Sequence, residues 1–370
     1  MKRISRAFAL TMAMVVSTCG QAFQSTSTPR MTDSEMIAQL EALVAQAATE
    51  DSFSGAVLVA KDGKPIFRKA VGFANKETKL PNKTTTRFNL GSINKSFTSV
   101  AIAQLAQQGK LAYTDTIAKH LPDYSNRAVA EKVTIHQLLT HTSGLGDYLT
   151  RDLAQAKTLR DLLPLFVNQP LLFEPGQKVQ YSNSGYVVLG LIIEKLSGHS
   201  YYDYVKENIF KPAGMTRTDS FERDQKVDDL AVGYTNIGPE GPQAGPRRAN
   251  TATLAGKGSS AGGGYSTVED MLKFANALNA NKLLTPEFTE IVFTGGGAQR
   301  PAGAGRGSYG FMQNQMNGIR IVGNGGGGPG VNAMFRIYFG RGYTVVVLSN
   351  YDPPSAERIA GKINEVILNN

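Results

Sequence analysis

Ser92 and Lys95 stand three positions apart in Gly91-Ser-Ile-Asn-Lys-Ser-Phe-Thr-Ser99. On a helix, residues i and i+3 share one face a turn apart, so a lysine amine there can reach a serine hydroxyl and act as its base. The neighbourhood favours a helix. Extended-looking Thr86-Arg-Phe-Asn-Leu90 leads into Gly91, and Phe97, Ile102 and Leu105 then recur at helical spacing. Ser92 at the helix start would meet orphan backbone N–H groups and the positive dipole end, both suited to a developing anion. The same field, with partial burial, would lower the pKa of Lys95 and fit it to be a base. The bland alternative is a polar helix start in which Ser92 only caps.

Other segments carry candidate chemistry. Tyr181-Ser-Asn183 follows Pro175-Gly176 and precedes a helical stretch starting at Tyr186. A tyrosine beside a nucleophile can shuttle a proton, and an asparagine can hold both a lysine and a substrate amide. Asn183 or Ser184 could equally just cap the next helix, and the same spacing occurs at Tyr124-Ser-Asn126 and Tyr234-Thr-Asn236. Asn324 leads into Gly325-Gly-Gly-Gly328-Pro-Gly330, between two expected strands. Glycines there let a substrate approach the backbone, and an exposed N–H can serve an oxyanion hole; a wide bulge or turn is the structural alternative.

Several patterns are excluded by context. The G-x-G-x-x-G matches at Gly325, Gly327, Gly330 and at Gly305, Gly307, Gly310 open no helix, which argues against dinucleotide binding. Gly258-Ser-Ser260-Ala-Gly262 fits a nucleophile elbow, but that fold needs its histidine after the serine, and His120, His136, His141 and His199 all precede it. No H-E-x-x-H occurs and no histidine pair has metal-binding helical spacing. His141 reads as structural. No cofactor or metal is expected, and lysine-activated serine chemistry is the economical choice.

The first 22 residues read as an export signal. Lys2, Arg3 and Arg6 form a basic start, Ala7 to Val16 an apolar core too short to span a bilayer, and cleavage is expected after Ala22. The single cysteine, Cys19, lies inside; lipidation there ranks second because Thr18 suits it poorly. The expected location is periplasmic or secreted. Cleavage removes three of the nine net positive charges. The rest are spread along the chain without interleaved aromatics, so nucleic acid is not an expected partner, and no later apolar run is long enough to cross a membrane.

The elements that must position these groups follow from pattern. Thr32-x-x-Glu35 opens a helix whose face is Met36, Ile37, Leu40, Leu43 and Val44. Gly55 to Ala60 and Pro65 to Val71 flank the hairpin signal Asp62-Gly63. Asp115 to Asn250 reads mainly as helices, the strongest from Tyr186 to Leu196 before Gly198. Gly318 to Val322, Asn332 to Phe339 and Tyr343 to Leu348 read as strands, and Ala356 to Leu368 as a closing helix. The expectation is an α+β fold: a five-stranded antiparallel sheet built from both chain ends and flanked by helices, with a mostly helical inserted lobe. Residues 32–114 and 251–370 would form the sheet lobe and 115–250 the helical lobe, with Gly238 to Ala255 a surface loop.

In this order the pieces resemble the serine β-lactamase and penicillin-binding-protein superfamily, in its class C-like branch of envelope esterases and D-aminopeptidases. The resemblance runs from about Phe53 to the C-terminal helix. It also rests on Leu138-Leu-Thr-His-Thr-Ser-Gly144, Phe173-Glu-Pro-Gly176, Tyr181-Ser-Asn-Ser-Gly-Tyr186, Pro212-Ala-Gly-Met215, Gly263-Gly-Tyr-Ser-Thr267 and Val347-Leu-Ser-Asn350. It implies Ser92 as the acylated nucleophile, Lys95 as its base, Tyr181 as proton shuttle and Asn183 as the residue orienting Lys95 and substrate. Ser92 and Gly327 N–H groups would form the oxyanion hole, with Asn324 and Gly326 beside them as oxyanion or substrate-binding residues. The substrate would be a small ester, amide, β-lactam or D-amino-acid peptide, with cell-wall fragments as partners. One position departs from the family pattern, which usually has lysine or histidine where this chain has Asn324. The missing charge points away from carboxylate-bearing substrates and towards neutral esters, unless Arg320 or Lys257 supplies it. A catalytically weakened protein that binds or senses cell-wall peptides is the alternative.

Overall fold

The computed structural model describes residues 31–148, 153–238, 241–295 and 308–369; the export segment, with Cys19, lies outside them, as do Gly305 and Gly307 of the second glycine pattern. Helix α1 (Asp33–Thr49) starts at Thr32, whose side chain accepts from the Glu35 N–H while the Glu35 carboxylate accepts from the Thr32 N–H, the capping box read from the sequence. Strands β1 (Gly55–Lys61) and β2 (Lys64–Val71) form the expected hairpin. Its two turn residues, Asp62 and Gly63, both have positive φ, as the favoured two-residue turn requires.

Further on come the buried helix α2 (Asn94–Gln107), the central helix of the inserted segment α3 (Asn183–Ser197), and α4 (Val268–Asn279). Strands β3 (Met312–Met316), β4 (Ile319–Gly328), β5 (Val331–Tyr338) and β6 (Tyr343–Ser349) precede the last helix, α5 (Ser355–Asn369). The sheet is antiparallel in the order β3-β4-β5-β6-β1-β2, and the chain ends meet where Val57 pairs with Val347.

Two details differ from the sequence reading. The sheet has six strands where five were expected. The additional one, Met-Gln-Asn-Gln-Met, is largely exposed and shows no apolar alternation, so only its pairing from Met312–Gly323 to Met316–Ile319 defines it. Second, β4 does not stop before Asn324. It continues through the glycine run to Gly328, because each of those backbones still pairs with β5, from Asn324–Phe335 to Gly328–Val331.

Strand alternation makes two cores. Val57, Val59, Val345 and Val347 face α1 and α5, where Ile359, Ile363 and Ile367 recur at four-residue spacing. Ala56, Leu58, Val346 and Leu348 face the other way, against α2 and α4 and on into the helical segment. Phe97 anchors α2 there, edge-on to Phe274 at 4.8 Å and Phe210 at 5.1 Å. Truncating such a side chain costs about 3–5 kcal/mol, and it would loosen the helix two residues from Lys95. Every residue of α2 from Asn94 to Leu105 is buried, so its polar side chains must find partners inside the protein.

Candidate active site

Ser92 lies in the short 3-10 turn Gly91–Ile93 that enters α2, and Lys95 follows in the first α-helical turn. Lys95 is 2% exposed. Its Nζ donates to Asn183 Oδ1 at 2.7 Å and to the Ala261 carbonyl at 2.5 Å, and stands 3.3 Å from Ser92 Oγ. A neutral amine has two hydrogens and one lone pair. The two acceptors take the hydrogens, which leaves the lone pair for the serine hydroxyl. Burial draws the Lys95 pKa down to about 7 by penalising the ammonium, against an opposing pull from the Asp147 carboxylate.

The loop that supplies Ala261 is stapled to the same helix. Asn94 Nδ2 donates to the Ser259 carbonyl at 3.1 Å and Thr98 Oγ1 to that of Ser260 at 2.7 Å. Leu90 N–H donates to the Gly264 carbonyl, alongside pairing of Phe88–Asn89 with Tyr265–Ser266. Ser260 itself is fully buried and donates to the Tyr186 carbonyl, a structural role.

Tyr181 Oη lies 2.5 Å from Ser92 Oγ, and the Tyr181 ring sits 4.6 Å from Lys95 Nζ. The residue is 50% exposed, yet desolvation pushes its hydroxyl up to about 12, partly offset by the bond to Ser92, so at neutral pH it holds its proton. The other two tyrosines with the same spacing point elsewhere: Tyr124 is buried, and Tyr234 bonds Glu77 and the Lys76 N–H.

Asn183 begins α3 behind its cap Ser182, whose Oγ accepts from the Gly185 N–H. The amide is held from behind by Asp147, whose Oδ2 accepts from Asn183 Nδ2 at 2.8 Å and from its backbone N–H at 3.1 Å. A carboxylate can only accept, so the Asn183 NH2 must face Asp147 and Oδ1 must face Lys95. The His141 ring lies tilted by 31° against Tyr181 with centroids 4.5 Å apart, and its Nδ1 accepts from the Ser182 N–H, which in the neutral ring places the proton on Nε2. Sequence reasoning did not reach Asp147. It lies three residues beyond the His-Thr-Ser-Gly stretch and 36 before its partner, and no local pattern marks it.

Strand β3 pairs with β4 only as far as Gly323, so from Asn324 onward the outer edge of β4 turns to the Ser92 segment. A side chain at Gly326 would collide with the Leu90 carbonyl, and one at Gly91, where φ is +50°, would lie 2.9 Å from the Gly327 nitrogen. The glycines thereby let the Gly327 and Ser92 backbones approach each other, and both residues border the same cleft. Gly326 acts through that close approach, not by lining the cleft. Asn324 is engaged by the protein. Its Nδ2 donates to Gly310 O at 2.8 Å, Ser96 Oγ at 3.1 Å and Ser92 O at 3.4 Å, while Oδ1 accepts from the Gly325 N–H. Of the two cations suggested as its substitute, Arg320 is paired with Glu290 at 3.0 Å, while Lys257 borders the same cleft as Ser92 with its Nζ 3.9 Å over the Tyr202 ring.

Taken together, the geometry holds a buried amine poised near neutrality, a serine hydroxyl, a protonated phenol and two converging backbone segments around one cleft. That set can carry acyl transfer. Among the described residues no helix is long and apolar enough to cross a membrane.

The beta-lactamase family model matches residues 40–368. Penicillin-binding protein 4* of Bacillus subtilis (strain 168) is 32% identical over 334 residues, which are 84% of this chain and 71% of that one. The crystal structure of a penicillin binding protein from Bacillus halodurans superposes with a TM-score of 0.77 at 33% identity, covering 88% of this chain and 98% of that chain. D-amino acid amidase from Ochrobactrum anthropi SV3 shares the fold with a TM-score of 0.73 at 21% identity, over 90% of this chain and 99% of that chain.

Proposed function

The chain belongs to the beta-lactamase family, within the serine β-lactamase and penicillin-binding-protein superfamily, and on that premise we propose that it cleaves ester or amide bonds through a Ser92 acyl-enzyme. Neutral Lys95 removes the Ser92 proton as Oγ attacks the substrate carbonyl carbon. The resulting oxyanion is met by the Ser92 and Gly327 N–H groups. Tyr181 gives its proton to the leaving group and is reprotonated by the Lys95 ammonium. Water, deprotonated through the same groups, then releases the acid product and restores Ser92.

The observation that carries this reading is the position of Lys95 Nζ, buried 3.3 Å from Ser92 Oγ and held there by Asn183 Oδ1 and Ala261 O. The substrate range we propose runs from neutral esters to β-lactams and D-amino-acid peptides, with neutral esters favoured because Asn324 brings no charge. Support for amide substrates comes from the neighbour that is a D-amino acid amidase. Export to the periplasm or medium is part of the proposal and rests on residues 1–22.

Intact-protein mass after incubation with a fluorophosphonate, and separately with a penicillin, tests the reading. A stoichiometric adduct that is absent from Ser92→Ala is expected with the fluorophosphonate, and the penicillin sample shows whether β-lactams acylate the serine. A folded protein that gives no adduct with either reagent would favour the weakened binding protein instead.

A further inference from the structure

The two sides of Ser92 are unlike. On one side lies a pocket of about 250 Å³ bordered by Ser92 and Gly327 and walled by Leu153, Leu162, Phe221, Leu230, Leu254 and Val331. On the other, Tyr181 is half exposed and does not line that pocket, its Oη 2.5 Å from Ser92 Oγ. In acyl transfer the leaving group must depart next to the group that protonates it, while the acyl group stays on the serine. Tyr181 therefore marks the leaving-group side, and the apolar pocket falls to the acyl group.

From this we infer that the enzyme selects substrates by an uncharged, apolar acyl group buried in that pocket, and that its leaving-group side is permissive. The inference rests on the Ser92 acyl-enzyme reading above. Glu222, Arg223 and Lys257 also line the pocket, and each is already engaged. Glu222 is paired with Lys157 at 2.7 Å, the Lys257 ammonium covers the Tyr202 ring, and the Arg223 guanidinium lies 3.5 Å from Asp224. An acyl group bearing a carboxylate would lose its hydration against the aliphatic walls, and to gain an ion pair it would have to draw Lys257 off the Tyr202 ring or Arg223 off Asp224.

The test uses p-nitrophenyl esters from acetyl to hexanoyl and, in parallel, acetyl esters of alcohols of matched length. On the acyl side kcat/KM is expected to rise about fourfold per methylene until the pocket fills, the transfer value of one buried CH2. On the alcohol side it should change by no more than about twofold across the series. In Leu254→Trp, which narrows the pocket, the hexanoyl-to-acetyl ratio should collapse. Phe221→Ala, which widens it, should move the optimum to longer chains and serves if the tryptophan variant does not fold. A fluorophosphonate adduct on Ser92 with a flat acyl series, or with equal selectivity on both sides, overturns this inference alone. Absence of the adduct in folded protein overturns the acyl-enzyme reading beneath it.

Discussion

Asp147→Asn is the substitution that probes the site most sharply, because it keeps shape while removing a charge and a constraint. Two hydrogen bonds of 2.8 and 2.7 Å, with the Asn183 amide between them, link the Asp147 carboxylate to Lys95 Nζ. The charges are then roughly 7 Å apart, where an effective dielectric of ~20 gives about 2 kcal/mol, or one to two pH units. Burial dominates the lowering of the Lys95 pKa to about 7, and Asp147 opposes it by favouring the ammonium. Removing that carboxylate should lower the pKa further. Lys95 must be neutral to act, so the acid limb of the rate profile, centred near pH 7 in the parent, should move to lower pH by about one to two units. At the plateau the rate should fall roughly 10- to 100-fold, the cost of about 1.5–3 kcal/mol when the Asn183 amide is no longer forced to present its oxygen to Lys95. The assay is the second-order rate of Ser92 modification by a fluorophosphonate from pH 5 to 9, which needs no knowledge of the substrate. A plateau that drops with an unmoved acid limb would refute the electrostatic argument. A limb that moves to higher pH would refute its sign.

Three more outcomes are expected. Tyr181→Phe keeps the ring but removes the 2.5 Å contact with Ser92, so amide or alkyl-ester turnover should fall about 10²- to 10⁴-fold while p-nitrophenyl esters, whose leaving group needs no proton, fall far less; equal losses on both would remove Tyr181 as proton donor. Gly326→Ala drives a methyl group into the Leu90 carbonyl and separates the Gly327 and Ser92 backbones, so kcat should drop about 10²- to 10³-fold, and unchanged ester kinetics would sink the oxyanion assignment. The folded pKa of Lys95 lies below its unfolded value of 10.5, so the unfolded chain binds the extra proton between about pH 7 and 10.5, and stability should rise with pH across that window. The penalty at pH 7 is on the order of 5 kcal/mol, and urea denaturation of Lys95→Met should lack that part of the pH slope seen in the parent.

Much of the fold was legible because its signals are local. The Thr32 capping box, the Asp62-Gly63 turn and the Gly198 stop are each written in a few adjacent residues and appear where they were read. The edge strand Met312–Met316 was not, since its exposed side chains carry no alternation and only its partner strand defines it. The site shows the same division. The spacing of Ser92 and Lys95 is local, and the structure brings Tyr181 and Asn183 to them from nearly ninety positions away. Asp147 is invisible in sequence because its meaning depends on which way an amide 36 residues later must point.

Asn324 marks the limit of reading chemistry from residue type. As a residue that lacks the charge usual at its position, it suggests a site weakened towards its substrate. In place, its amide hydrogens go to Gly310, Ser96 and Ser92 backbone or hydroxyl oxygens, and it ties the nucleophile turn to the sheet edge that supplies Gly327. A lysine there could not reproduce those bonds together with the acceptor that holds the Gly325 N–H. The substitution therefore exchanges a charge facing the substrate for a brace under the oxyanion-forming backbones. Discrimination must then come from elsewhere in the cleft, and the aliphatic wall beside Ser92 is where the structure offers it. Asn324→Ala should accordingly lower stability by about 1–3 kcal/mol in urea denaturation and depress turnover of neutral and carboxylate-bearing esters alike. Loss confined to the carboxylate-bearing esters would instead mean that Asn324 contacts substrate directly.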